Sequence, residues 1–196
     1  GLRRFRIAAA TDAELIATLA PVRIAPWKMI GPFKTTDVKS ALDEEFPPEK
    51  ELDFAKSYPG VRDPIKWNDQ PGYEDGKSHV FVQYLHGVHG AYYFHRKIHA
   101  AKASKLEIAL RADDFSRIWF NGKEVARQEV KAGTSDGPLR VSLDLAAGEN
   151  ELLVKVVNHQ GECRFRFDTF PSDSEVLPTR LAVILAAVIS KAATGR

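Results

Sequence analysis

Two adjacent carboxylates, Asp113 and Asp114, follow an alternating apolar stretch in RADDFSRIWFNGKEV, residues 111–125. Side by side, they offer several oxygens to a hard cation such as calcium. They can also accept hydrogen bonds from sugar hydroxyls. Arg117, Trp119 and Asn121 follow at alternate positions and would share one face of a strand. An indole face suits the C–H side of a pyranose ring, and an amide adds a polar contact. A structural reading stands beside this one. Asp-rich corners cap backbone N–H groups through Asx-turns, and Trp119 can equally be core, because Ile118 and Phe120 cannot share the inside with it.

The remaining chemistry-bearing residues are less distinctive. The chain has no phosphate-binding G-x-x-x-x-G-K-[ST] and no H-E-x-x-H. Cys163 alternates with Phe165 and Phe167, as a buried thiol would. A carboxylate pair for glycosidic cleavage has no sequence signature that excludes it, so a glycoside hydrolase or lyase remains a third and lesser reading. His86, His89, His95 and His99 are potential imidazole ligands, but no third ligand at a defined spacing accompanies them. They read as a polar turn and a solvent-facing strand surface.

These residues need a scaffold, and the pattern supplies one. WKMIGPF (27–33) reads as a strand. From 79 onward the period is two: HVFVQYL (79–85), AYYFHRKI (91–98), KLEIALRA (105–112), LRVSLDL (139–145) and CRFRFD (163–168) alternate, with AGEN turning the chain before ELLVKVVN (151–158). ELLVKVVN is nearly apolar throughout and predicts a central strand. Asn121-Gly122 between SRIWF and KEVAR predicts a hairpin with a type I′ turn. Short strands separated by turns predict an all-β antiparallel sandwich of jelly-roll type, with short terminal helices. Residues 34–78 are irregular, and so long a segment is often functional. It carries Phe46, Phe54, Tyr58, Trp67 and Tyr73, which can pin it to a sheet. Trp67 and Tyr73 join the candidate ligand-binding residues.

Length and composition bound the reading. The 196 residues, 44% of them apolar, suit one domain with appendages. We read 1–25 as a helical linker with a Thr11/Glu14 capping box, 26–170 as the sandwich, and 171–196 as a helical linker to a missing domain. A net charge of +2 argues against nucleic acid as a partner. The longest apolar run, LAVILAAVI, is too short to span a bilayer, which takes about 20 residues. One cysteine precludes an intrachain disulfide. No secretory signal is visible, and the chain reads as a piece of something longer.

The ordered segments WKMIGPF, DEEFPPEK, YPG, IKW, AYYFHRKI, LEIALRADDFSRIWFNGKEV and GENELLVKVVN resemble a β-sandwich module of large exported multidomain proteins from planctomycete-type bacteria. Those proteins often carry c-type haem domains. The resemblance covers roughly residues 27–168 and implies a periplasmic or extracellular setting with neighbouring domains as partners. The C-x-x-C-H haem motif is absent here, so no haem is expected in this chain. The hairpin is also similar to galactose-binding-like modules and to the protective-antigen-type domain of adhesins, where adjacent aspartates hold calcium and sugar. That resemblance implies a non-catalytic carbohydrate-binding module with Asp113 and Asp114 as metal ligands, calcium as cofactor, a glycan as partner and Asn121 as a further contact. Phe115 departs from the small residue that often follows the aspartate pair. The alternative is a structural, domain-docking module without ligand.

Overall fold

The computed structural model describes residues 21–37, 40–82, 90–129, 137–159 and 161–171. The expected terminal helices, His86 and His89 lie outside the described residues. The strands are β1 (Val22–Ile24), β2 (Trp27–Phe33), β3 (Asn68–Gln70), β4 (Ser78–Val82), β5 (Gly90–Ala100), β6 (Ser104–Ala112), β7 (Phe115–Phe120), β8 (Lys123–Glu129), β9 (Leu139–Leu145), β10 (Gly148–Asn158) and β11 (Cys163–Pro171). One four-residue helix, α1 (Pro47–Lys50), sits in the irregular segment. Its two leading prolines suit a first turn, where backbone N–H groups have no helical partner.

The strands form two antiparallel sheets. The larger runs β3-β2-β5-β10-β7-β8, with β1 also on β5, and the smaller runs β4-β11-β6-β9. From β4 to β11 the chain changes sheet at every connection except the β7–β8 hairpin. This is the all-β sandwich that the alternation predicts. The β1 strand lies inside the stretch read as a linker. Its residues pair with β5 from Val22–Ala100 to Ile24–Ile98, so the sheet begins before residue 26. The predicted AGEN turn is also shorter, because Gly148, Glu149 and Asn150 already belong to β10. The Asn150 side chain closes the turn by accepting from Ala146 N–H at 2.9 Å and donating to Ala146 O at 2.9 Å.

Between the sheets, Trp27 meets the edges of Phe165 and Phe167 at 5.1 Å each, and Phe94 stacks on Phe165 at 4.2 Å. Leu106, Ile108, Leu110, Leu143, Leu145, Cys163, Phe165 and Phe167 are all buried, so the predicted inward alternation holds on β6, β9 and β11. Each large apolar side chain contributes about 1.5–3 kcal/mol by leaving water. Arg96 enters this core with its guanidinium over the Trp27 ring, held by Asp75 at 2.7 Å and by Ala25 O at 2.9 Å. The Arg96–Asp75 pair ties the turn around residue 75 to β5.

Much of the outer face of the larger sheet is also buried. Residues of the irregular segment, among them Ala41, Leu42, Phe46, Tyr58 and Trp67, pack on Ile30, Phe33, Tyr93, Leu153 and Val157. This overturns the expectation of a solvent-facing strand surface at His95, while His99, farther along β5, is exposed as expected. His95 is buried at 2% exposure, with Phe54 at 4.9 Å and Trp67 at 6.2 Å. The β5 and β10 strands lie between two packed layers, which is why β10 reads as continuously apolar.

Candidate functional site

Asp113 and Asp114 make the two-residue crossing from β6 in the smaller sheet to β7 in the larger. The peptide between them is cis. Neighbouring strands tie the corner down: Asp113 N–H donates to Arg164 O at 3.2 Å, and Asp114 N–H donates to Val157 O at 3.4 Å. The Cys163 thiol donates to Asp113 O. Asp114 Oδ2 accepts from the backbone N–H of His159 at 2.7 Å. One oxygen of Asp114 is therefore engaged by backbone, as an Asx-type corner would have it, while the Asp113 side chain is exposed.

Partial desolvation against the sheet edge, and then the neighbouring Asp114 charge, raise the Asp113 carboxyl above its usual value, with Arg164 pulling the other way. Burial, followed by the two aspartates, pushes the Cys163 thiol far up, so it stays protonated and acts as a donor rather than a nucleophile. The corner is an oxygen-rich, negatively charged edge suited to cations and hydroxyl donors. Among the described residues, no group of three or more His, Cys, Asp or Glu side chains gathers to hold a metal. A cation at the corner would take its further oxygens from backbone, water or a ligand's hydroxyls.

The other predicted residues are not brought to this corner. Ile118 and Phe120 face the inner core, and Phe115 and Trp119 pack against the outer cluster. This settles which of β7's alternate faces holds the indole. Phe115 is thereby packed on the outer face of the larger sheet. Asn121 sits at the far end of β7, seven residues from Asp114 and about 23 Å away at strand rise. Its amide serves the hairpin: Nδ2 donates to Asn150 Oδ1 at 2.9 Å, and Oδ1 accepts from Glu151 N–H at 2.8 Å. With Asn121 φ at 48° and Gly122 φ at 76°, the two residues form the predicted type I′ turn. Trp67 is buried beside Phe54 and His95. Tyr73 stacks on His79 at 4.6 Å, against the inner core. Both rings pin the irregular segment, as their aromatic character predicts.

Arg117 and Trp119 belong to a second constellation that sequence spacing does not reveal. On the outer face, Lys155 of β10 is fully buried. Its ammonium donates to Leu42 O at 3.2 Å, Glu44 O at 2.5 Å and Glu49 Oε1 at 3.0 Å. Tyr93 O–H also donates to Glu49. Burial lowers the Lys155 pKa, and Glu49 opposes that shift. Arg117 pairs with Glu124 at 2.5 Å, and its guanidinium lies 4.8 Å from the Trp119 ring centre. Together these contacts hold α1 beside Trp119. A cavity of about 220 Å³ opens there, lined among others by Glu51, Leu52, Trp119, Gly122, Glu151 and Leu153. The one signal in the sequence was the lysine inside an otherwise apolar strand. Its partners lie more than a hundred positions away.

Among the described residues no helix is long and apolar enough to cross a membrane. No protein-family model matches the sequence, and no curated protein matches it. Solved structures do show likenesses. The chain is similar to a PA14 sugar-binding domain from an RTX adhesin, at 18% identity and TM-score 0.30, covering 41% of this chain and 46% of that one. It thus spans under half the length of that adhesin chain. A second likeness is to the epithelial adhesin 9 A domain of Candida glabrata in complex with Galβ1-4GlcNAc, at 10% identity and TM-score 0.44, covering 78% and 84%. A third is to a β-glucuronidase from an uncultured Clostridium sp., at 14% identity and TM-score 0.43, covering 78% of this chain and 30% of that one.

Proposed function

We propose that the chain is a non-catalytic carbohydrate-binding module of a larger exported protein, with the Asp113–Asp114 corner as its calcium-assisted contact. The observation that carries this reading is the corner itself. Two adjacent carboxylates stand at an exposed crossing between sheets, stapled by backbone hydrogen bonds to β10 and β11. Calcium bound there would gather sugar hydroxyls as further oxygen ligands. Asp113 and the unengaged oxygen of Asp114 would hold it.

The test is affinity electrophoresis and glycan-array binding, with calcium and with EDTA, on the wild type and on Asp113→Asn. The expected outcome is calcium-stimulated binding that Asp113→Asn abolishes while the melting temperature is kept. No binding to any neutral or acidic glycan in either condition overturns the reading. The contact from His159 N–H to Asp114 favours a second reading, in which the pair only shapes a corner. On that reading Asp114→Ala, which removes the acceptor for His159 N–H, destabilises the fold, and calcium leaves the melting temperature unchanged.

A further inference from the structure

We infer that the cavity beside Trp119 is a separate, calcium-independent site for a single neutral pyranose unit. The inference keeps the carbohydrate reading but moves to the opposite end of β7. Trp119 is about five strand residues, roughly 17 Å, from Asp114.

Shape comes first. The cavity's 220 Å³ lies below the roughly 300–1,000 Å³ typical of sites for drug-sized ligands and suits one sugar ring. Trp119 gives it an aromatic wall, and Leu52 and Leu153 extend the apolar surface. Arg117 covers one face of the indole without lining the cavity, and Glu124 holds that guanidinium in place. The indole is therefore clamped before any ligand arrives, and the ordering penalty on binding is small.

Polar groups come second. Glu51 and Glu151 line the cavity and are exposed. Lys50, the cation at the rim, is engaged with Glu45 at 2.9 Å, and Glu49 with Lys155 at 3.0 Å. Glu51 and Glu151 are thus carboxylate acceptors for sugar hydroxyls, which make charge-assisted hydrogen bonds. Behind Glu151, the His95 ring is 2% exposed, and its Nε2 has no hydrogen-bond partner. It lies 3.8 Å from Glu151 Oε1, behind the residues that line the cavity. Two acceptor carboxylates repel uronate and sulfated sugars. The fitting ligand is neutral, with an apolar ring face for the indole and hydroxyls on its edge.

The test titrates the full chain in EDTA with methyl β-D-glucopyranoside, methyl β-D-galactopyranoside and glucuronate, read by calorimetry and tryptophan fluorescence. Trp27 and Trp67 are buried at 1% and 9%, so ligand-sensitive emission reports on Trp119. Expected is millimolar binding of at least one neutral glycoside, weakened about tenfold or more by Trp119→Ala. Glu151→Gln retains the fold and weakens binding less. Glucuronate binds about tenfold more weakly than the neutral sugar or not at all. No neutral binding in EDTA overturns the inference, as does binding unchanged in Trp119→Ala or glucuronate bound equally well. Calcium-stimulated glycan binding that survives Trp119→Ala supports the aspartate corner alone. EDTA-insensitive binding lost with Trp119, in a chain that gains nothing from calcium, supports the cavity alone.

Discussion

Replacing Lys155 with methionine is expected to release the wall of the Trp119 cavity. The ammonium is fully buried and donates to two carbonyls, Leu42 O and Glu44 O, and to the Glu49 carboxylate, whose side chain is 6% exposed. Methionine fills the volume but leaves a buried carboxylate and two acceptors without that donor. Removing one partner of a buried pair costs about 3–5 kcal/mol. Tyr93 O–H still reaches Glu49, and Arg117 Nη1 lies 3.8 Å from Glu49 Oε2, so the lower figure, about 3 kcal/mol, is expected. With a urea m-value of about 2 kcal/mol/M, the unfolding midpoint falls by about 1.5 M. Adding Glu49→Gln removes the orphaned charge and recovers about 1–2 kcal/mol, a coupling that a double-mutant cycle measures. Hydrogen exchange at residues 40–52 should accelerate more than exchange on β6 or β11, because the anchor is local. A midpoint shift equivalent to under about 1 kcal/mol would refute the reasoning, since exposed ion pairs contribute that little. So would a Glu49→Gln addition that recovers nothing.

Two further outcomes follow from buried polar groups. Burial, then Lys97 and Lys28, lower the His95 pKa from 6.5 to about 4. The folded state holds the imidazole neutral, so this stability is present above pH 6.5 and is lost as pH falls towards 4. The span of about 2.5 pH units corresponds to about 3 kcal/mol. Urea unfolding at pH 7 and pH 4.5 should show a smaller acid loss in His95→Gln than in the wild type, and equal losses would refute it. Asn150→Ala removes acceptors for Ala146 N–H and the Asn121 amide and a donor to Ala146 O. About 2–3 kcal/mol should be lost, seen as a melting temperature lower by about 5–10 °C. An unchanged melting temperature would show that water satisfies those groups.

Much of the scaffold was legible because strand alternation is local. WKMIGPF and LRVSLDL match β2 and β9 residue for residue, and Asn121-Gly122 makes the turn that its two positive φ values require. The short β1 and β3 strands escaped notice because three residues carry no period, and both exist by pairing with β5 and β2. The site was harder to read. Arg117, Trp119 and Asn121 share a parity, and parity places residues on a face without saying what lies opposite. The face is covered by α1 and its flanking loop, which made Trp119 a cavity wall, while Asn150 and Glu151 of β10 made Asn121 a hairpin staple.

The sequence by itself determined the period-two strands, the hairpin, the inward row Cys163-Phe165-Phe167 and the aspartate corner, because each depends on neighbours within a few residues. Only the tertiary structure decided that the larger sheet is covered on its outer face around β2, β5 and β10 as well as on its inner face. It also decided that His95 is enclosed, that Lys155 meets Glu49, and that Trp119 borders a cavity while Asp114 stands at the other end of the strand. Those outcomes depend on which segment covers which face. That is set by the summed fit of side chains brought together from more than a hundred residues apart, and no local pattern carries it.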